Sequence, residues 1–232
     1  PLTPKANQQW IAAVPNGGGT PTVVITGTAE AVVVDIEVNG VVFKGINFQA
    51  DADAVNTIIK VADTASVDGL TFIDCWFDAN GKATVDGISA VDATFILTGL
   101  YAKGCRFILC NNGIKIGAKG FANSLIEDNI FDMQDAGGGD IGISLADTTA
   151  LATGYGFVIR HNDFLGAIDA GADSVGIVIA GTENTTAIGV IRENFFAYCT
   201  AAAITIDKIS LSEIRNYAGD AAIGGTLVDP GT

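Results

Sequence analysis

Apolar and polar positions recur along the chain as a six-residue figure: apolar, any residue, a turn residue, Cys or Asn, any residue, Phe. It reads Phe43-Lys44-Gly45-Ile46-Asn47-Phe48, Phe72-Ile73-Asp74-Cys75-Trp76-Phe77 and Ala102-Lys103-Gly104-Cys105-Arg106-Phe107, with Ile46 departing from the Cys/Asn rule. It continues as Ile126-Glu127-Asp128-Asn129-Ile130-Phe131, Ile159-Arg160-His161-Asn162-Asp163-Phe164 and Ile191-Arg192-Glu193-Asn194-Phe195-Phe196. A degraded copy, Ile214-Arg215-Asn216-Tyr217, closes the series. The closing aromatics stand at 48, 77, 107, 131, 164 and 196, so the period varies between 24 and 33 residues.

A second column keeps step with the first. Ile59-Lys60-Val61, Ile88-Ser89-Ala90, Ile114-Lys115-Ile116, Ile143-Ser144-Leu145, Ile177-Val178-Ile179 and Ile204-Thr205-Ile206 alternate in-out-in, the period of a strand. Five of the six follow a small residue: Gly87, Gly113, Gly142, Gly176 and Ala203. No stretch between the columns has a helical period long enough for a crossover helix. Two or three short strands cannot bury an apolar stripe alone, so each unit must stack on like units above and below. The fold predicted is all-β: a single-stranded right-handed parallel β-helix, a solenoid of about seven coils, with the Phe column as an internal stack.

The turn inside the figure is legible too. Gly45, Asp74, Gly104, Asp128, His161 and Glu193 share a position where the chain must bend sharply, and four of the six are Gly or Asp. The next position runs Ile46, Cys75, Cys105, Asn129, Asn162, Asn194. Stacked asparagines in a tight turn can bond one another and the backbone of neighbouring coils, while cysteine fills the same volume without water. This resembles the asparagine ladder of pectate-lyase-like right-handed β-helices, over roughly residues 22–223.

Composition supports one domain. Hydrophobic residues make up 49% and charged residues 16%, and none of the five prolines falls between Thr22 and Asp229. Residues 1–21 are expected to form an N-terminal arm and cap, with Thr3–Ile11 as a short helical turn over the open end. Residues 22–223 form the β-helix, and 224–232 an extended C-terminal tail. The net charge of −14, with no Lys/Arg cluster, disfavours nucleic acid as a partner. No run of 18 apolar residues suggests a membrane span, and the first residues lack the apolar core of a signal peptide. Cys75, Cys105, Cys110 and Cys199 show no CxxC spacing, so free thiols and synthesis in the host cytoplasm are expected.

Enzymes of the family that the ladder resembles act on acidic polysaccharides, using an arginine base with calcium-binding aspartates, or clustered aspartates with a histidine. The motifs Asn-Thr-Asp, Gly-His-Gly and Arg-Ile-Lys are missing from this sequence. Glycoside hydrolysis needs two carboxyls a few ångströms apart, hence acids at equivalent outward positions of adjacent coils. The outward column before the turn (Lys44, Ile73, Lys103, Glu127, Arg160, Arg192) stacks no two acids. Neither does the one after it (Asn47, Trp76, Arg106, Ile130, Asp163, Phe195), and the outward column of the second strand (Lys60, Ser89, Lys115, Ser144, Val178, Thr205) holds none. Glu127 beside Arg160 reads as an inter-coil ion pair, Arg160 and Arg192 as solvated arginines, and His161 as a turn residue.

The acid-rich loops Asp51-Ala52-Asp53, Asp132 to Asp140 and Asp169 to Asp173 lack the nonapeptide of calcium-binding rolls and read as solvated. No catalytic, cofactor-binding or metal-binding residue is assigned, and no cofactor is expected. The sequence therefore favours a non-enzymatic structural protein. Its composition and its ending, Ile223-Gly224-Gly225-Thr226-Leu227-Val228-Asp229-Pro230, resemble those of bacteriophage virion β-helix proteins, such as capsid decoration, head-fibre or spike components. That resemblance implies a virion location, other capsid subunits as partners, assembly as a homotrimer, and a surface glycan as a further partner. The alternative is a polysaccharide lyase or glycoside hydrolase acting on acidic polysaccharide, with outward Trp76 beside Arg106 as its best landmark.

Overall fold

The computed structural model describes every residue except 13–20, 22, 29, 83, 93, 118–119, 135–139, 147–154, 167–173, 181–187, 200, 207–210 and 219–232. Among the described residues there is no helix, and every strand pairing is parallel. A 14-stranded sheet carries two arms joined at the ladder turn. The lead arm includes Val42–Lys44, Thr71–Ile73, Tyr101–Lys103, Leu125–Glu127 and Tyr155–Arg160; the trailing arm includes Ile46–Ala50, Trp76–Asp78, Arg106–Ile108, Ile130–Met133 and Asp163–Gly166. The strand Ile188–Ala197 runs through the turn and belongs to both. A seven-stranded sheet holds the isoleucine column, and a three-stranded sheet (Val67–Asp68, Ile96–Thr98, Gly120–Ala122) closes the middle coils. The chain is a parallel β-helix.

Like stacks on like, as the columns require. Phe48, Phe77, Phe107, Phe131, Phe164 and Phe196 are buried and lie ring on ring, 4.6–5.5 Å apart and within 14° of parallel. Pairs of this kind contribute about 0.5–1.5 kcal/mol each beyond the apolar area they bury. The glycines before the isoleucines explain how the rings fit. A Cβ on Gly113 would stand 2.6 Å from the Phe131 ring and 2.6 Å from the Gly142 carbonyl oxygen, and Gly87, Gly142 and Gly176 repeat the arrangement. The small-residue column is thus the complement of the aromatic stack.

The ladder has the expected form. Asn129 and Asn162 each donate their side-chain amide to the next asparagine's Oδ1 (2.9 Å in both cases), and the next Oδ1 also accepts their backbone N–H at 3.0 Å. Each Nδ2 also reaches a lead-arm carbonyl: Asn129 to Ala102, Asn162 to Ile126 and Asn194 to Ile159. Cys105 joins from below by donating its N–H to Asn129 Oδ1 at 2.8 Å. The residue before the ladder is left-handed in all six coils, with φ from 52° to 66°, and includes Glu193.

A second left-handed column lies five residues earlier, at Gly40, Gly69, Gly99, Asn123 and Gly156. The sequence reading did not recognise it. In these five coils the lead arm therefore has a left-handed residue at or near each end.

Three expectations are corrected. Within Thr3–Ile11 there is no helical turn: Gln9–Ile11 is a strand paired with Val42–Lys44, and Leu2 bridges Val34. The reason is packing, since Trp10 lies on Phe43 (6.3 Å, 26°), which itself stacks on Phe72 (5.4 Å, 8°) in a second, lead-arm aromatic stack. The coil count is about five full turns, from Phe48 to Phe196; the sequence count of about seven includes the end coils, parts of which fall outside the described residues. The outward isoleucine-sheet column does contain an acid, because Asp35 pairs with Lys60. The tail 224–232 and the loop acids Asp169 and Asp173 lie outside the described residues, as do residues 135–139 of the Asp132 to Asp140 loop.

Candidate functional site

Glu127 is the hub of the outward lead-arm face. Register places Tyr101 and Lys103 one coil before the pair Leu125 and Glu127, and Val158 and Arg160 one coil after. Arg160 grips Glu127 Oε2 through Nε at 2.9 Å and Nη2 at 2.7 Å. Lys103 Nζ (3.0 Å) and Tyr101 Oη (3.1 Å) donate to Oε1. Burial works against the charge, but the bonds from Arg160, Lys103 and Tyr101 outweigh it and hold the carboxyl at about 2. The ion pair expected from the sequence is present, and Tyr101, missed there, completes it.

Beyond this hub lies a groove of about 450 Å³. Leu125, Val158 and Val190 share one outward register and form its apolar floor. Arg160 and Arg192, also in register, line one side, with Asn123, Ser124 and Gly156 on the other. This volume is within the range of small-ligand sites. His161 stands at the turn with φ 54°, its Nε2 2.7 Å from Glu193 Oε2 and its Nδ1 3.6 Å from Asp128 Oδ1.

On the trailing arm, Arg106 lies over the Trp76 ring (5.6 Å) and donates to Asp132 at 2.9 Å. On the isoleucine sheet, buried Asp86 accepts from Asn111 (3.0 Å), Asn112 (2.7 Å) and Lys115 (3.2 Å). Sequence reading missed this set, because Asp86 and Asn112 precede the in-out-in triplet on which the column was built. Asp35, near Lys60, has its pKa raised by burial first and by Glu37 next. Glu37 itself accepts three backbone N–H groups, from Asp63, Thr64 and Ala65. Among the described residues, no group of three His, Cys, Asp or Glu is arranged to hold a metal ion.

Each polar cluster thus ties one coil to the next. The class defined is a parallel β-helix with an internal asparagine ladder. No protein-family model matches the sequence, and no curated protein matches it either. Among solved structures, the chain is similar to an alginate lyase from Paenibacillus sp. str. FPU-7, at 10% identity and a TM-score of 0.48, over 93% of this chain and 85% of that one. Nothing about activity is carried over from that likeness.

Proposed function

We propose that this chain is a structural, non-enzymatic β-helix: a decoration, fibre or spike component of a bacteriophage particle, assembled as a homotrimer. The observation that carries this reading is the state of Glu127. Among the described residues it is the one acid in the outward column that runs from Lys44 through Lys103 and Arg160 to Arg192, and three donors from the adjacent coils hold it ionised. A carboxylate so held has no proton to give near neutral pH and little basicity to take one. Arg106 with Asp132, Lys115 with Asp86 and Lys82 with Asp53 likewise bridge coils. Outward charge used as cross-coil bracing suits a rod that bears load. The test is incubation with a panel of acidic polysaccharides, alongside sedimentation with candidate virions. Particle association without cleavage is expected; depolymerisation of any member would overturn the reading.

The groove favours a second reading. Two arginines beside an apolar floor suit the carboxylate and ring face of an acidic sugar, which fits a polysaccharide lyase or hydrolase. Saturable oligosaccharide binding that is lost in Arg160→Ala, together with chain cleavage, would support it over the first.

A further inference from the structure

Three Asn-Gly dipeptides occur among the described residues: Asn39-Gly40, Asn80-Gly81 and Asn112-Gly113; a fourth, Asn16-Gly17, lies outside them. At such a pair the glycine backbone nitrogen can attack the asparagine side-chain carbonyl carbon. A C–N bond forms, the bond to the side-chain nitrogen breaks, and ammonia leaves a five-membered succinimide. Water then opens the ring at either carbonyl, giving aspartate or isoaspartate. No oxidant or enzyme is required. The glycine N–H must be free of a strong acceptor, and the side-chain amide must be able to swing onto it.

Two of the three pairs are locked. Gly40 donates its N–H to Asp68 O at 2.9 Å, and Asn39 Oδ1 accepts the Asp68 N–H at 2.9 Å. Asn112 is buried within the strand Asn112–Ile116 and donates to Asp86 Oδ1 at 2.7 Å. Its neighbour Gly113 is pressed between the Phe131 ring and the Gly142 carbonyl. Neither pair can close the ring without opening a coil.

Asn80-Gly81 is different. The two residues form the tip of a turn closed by the Lys82 N–H on Ala79 O, with φ of 55° and 70°, and both are exposed. Among the described residues the Gly81 N–H finds no acceptor, and apart from its two chain neighbours no described atom lies within 4 Å of the position a Cβ would take there. Among the described residues, the amide of Asn80 is held by one long bond, 3.3 Å, to Asp51 Oδ1 of the preceding coil. We propose that Asn80 is a site of spontaneous deamidation and isoaspartate formation. The product sets a new carboxylate against Asp51 where an amide had donated, beside the Lys82–Asp53 bridge at 2.7 Å. In the isoaspartate form the turn also gains a backbone methylene. One brace between these coils is thereby converted into a repulsion.

The test is peptide mapping by mass spectrometry of the whole chain, aged in mildly alkaline buffer. It is paired with methyl transfer by an isoaspartyl methyltransferase using labelled S-adenosylmethionine. Conversion at Asn80 is expected to run roughly ten times faster than at Asn39 or Asn112, because those two must wait for local opening. In urea all three should converge. Asn80→Gln should remove the native methyl-accepting signal assigned to this peptide, whatever Asn16 contributes to its own. Comparable native rates at the three sites would overturn the proposal. So would an unmodified Asn80 in a chain whose urea-treated form converts.

Discussion

Gly142 faces the Phe164 ring of the next coil so closely that a methyl group on its Cα would lie 2.4 Å from the ring and 2.6 Å from the Gly176 carbonyl oxygen. Neither the ring nor the backbone can move far, because Phe164 is itself stacked between Phe131 and Phe196. Gly142→Ala is expected to cost about 3 kcal/mol, the upper end of the usual range for overpacking a close-packed interior. Urea unfolding measures it. Phe164→Leu in the same chain should recover part of the loss, and a double-mutant cycle that shows no coupling would count against this explanation.

Asn162 makes four bonds from a fully buried position: two accepted from Asn129 and two donated, to Ile126 O and Asn194 Oδ1. Asn162→Ala takes the acceptor from two buried donors, the backbone N–H and the side-chain amide of Asn129, at a cost of about 2–4 kcal/mol. Asn162→Cys should be milder, since Cys75 and Cys105 occupy the equivalent position with thiols directed at Ile73 O and Lys103 O. Equal midpoints for the alanine and wild-type proteins in denaturant would show that the ladder is dispensable.

Acid should weaken the lead-arm face in a defined window. The Glu127 carboxyl is lowered from 4.5 to about 2, so its contribution is full above the ordinary value and disappears as pH falls through the lower one. The span corresponds to about 3 kcal/mol at most. Asp35 acts in the opposite sense, because burial and Glu37 raise its pKa. Glu127→Gln keeps that opposing contribution and removes the first. Stability measured between pH 5 and pH 2 should therefore fall more steeply for the wild type than for the variant; parallel curves would discredit the role given to Glu127.

All four cysteines are buried, and burial pushes the Cys199 thiol up to about 12. Thiolate is the reactive form and a buried sulfur is out of the reagent's reach, so burial should keep all four from reacting with an aromatic disulfide reagent at pH 8 in the native protein, Cys75 included although its pKa is lowered. Denaturation should release all four. Fast reaction of even one native thiol would place a coil opening at that point.

The solenoid was readable because stacking turns sequence periodicity directly into contact: Phe107 meets Phe131 for the same reason that both close the same six-residue figure. What escaped was set by neighbours in space. Gly40, Gly69, Gly99 and Gly156 stand a constant five residues before the recognised turn column, and that spacing could have exposed them. The Gln9–Ile11 strand could not be seen, because three residues with no repeat partner in sequence take their shape from Val42–Lys44. The same holds for the candidate site. The Glu127–Arg160 pair followed from register alone, whereas the contribution of Tyr101 depends on how far a phenol reaches across a coil. Asp86 collects donors from Asn111, Asn112 and Lys115, a convergence that no linear spacing announces.

The interval between ladder rungs ranges from 24 to 33 residues, yet every rung meets the next through the same stacked ring and the same left-handed turn. The joints between coils are indifferent to how much chain hangs between them. Peptides grafted into these loops would project at multiples of about 4.8 Å, the spacing of paired strands. The molecule is in effect a graduated scaffold, on which the separation of displayed segments is chosen by counting coils.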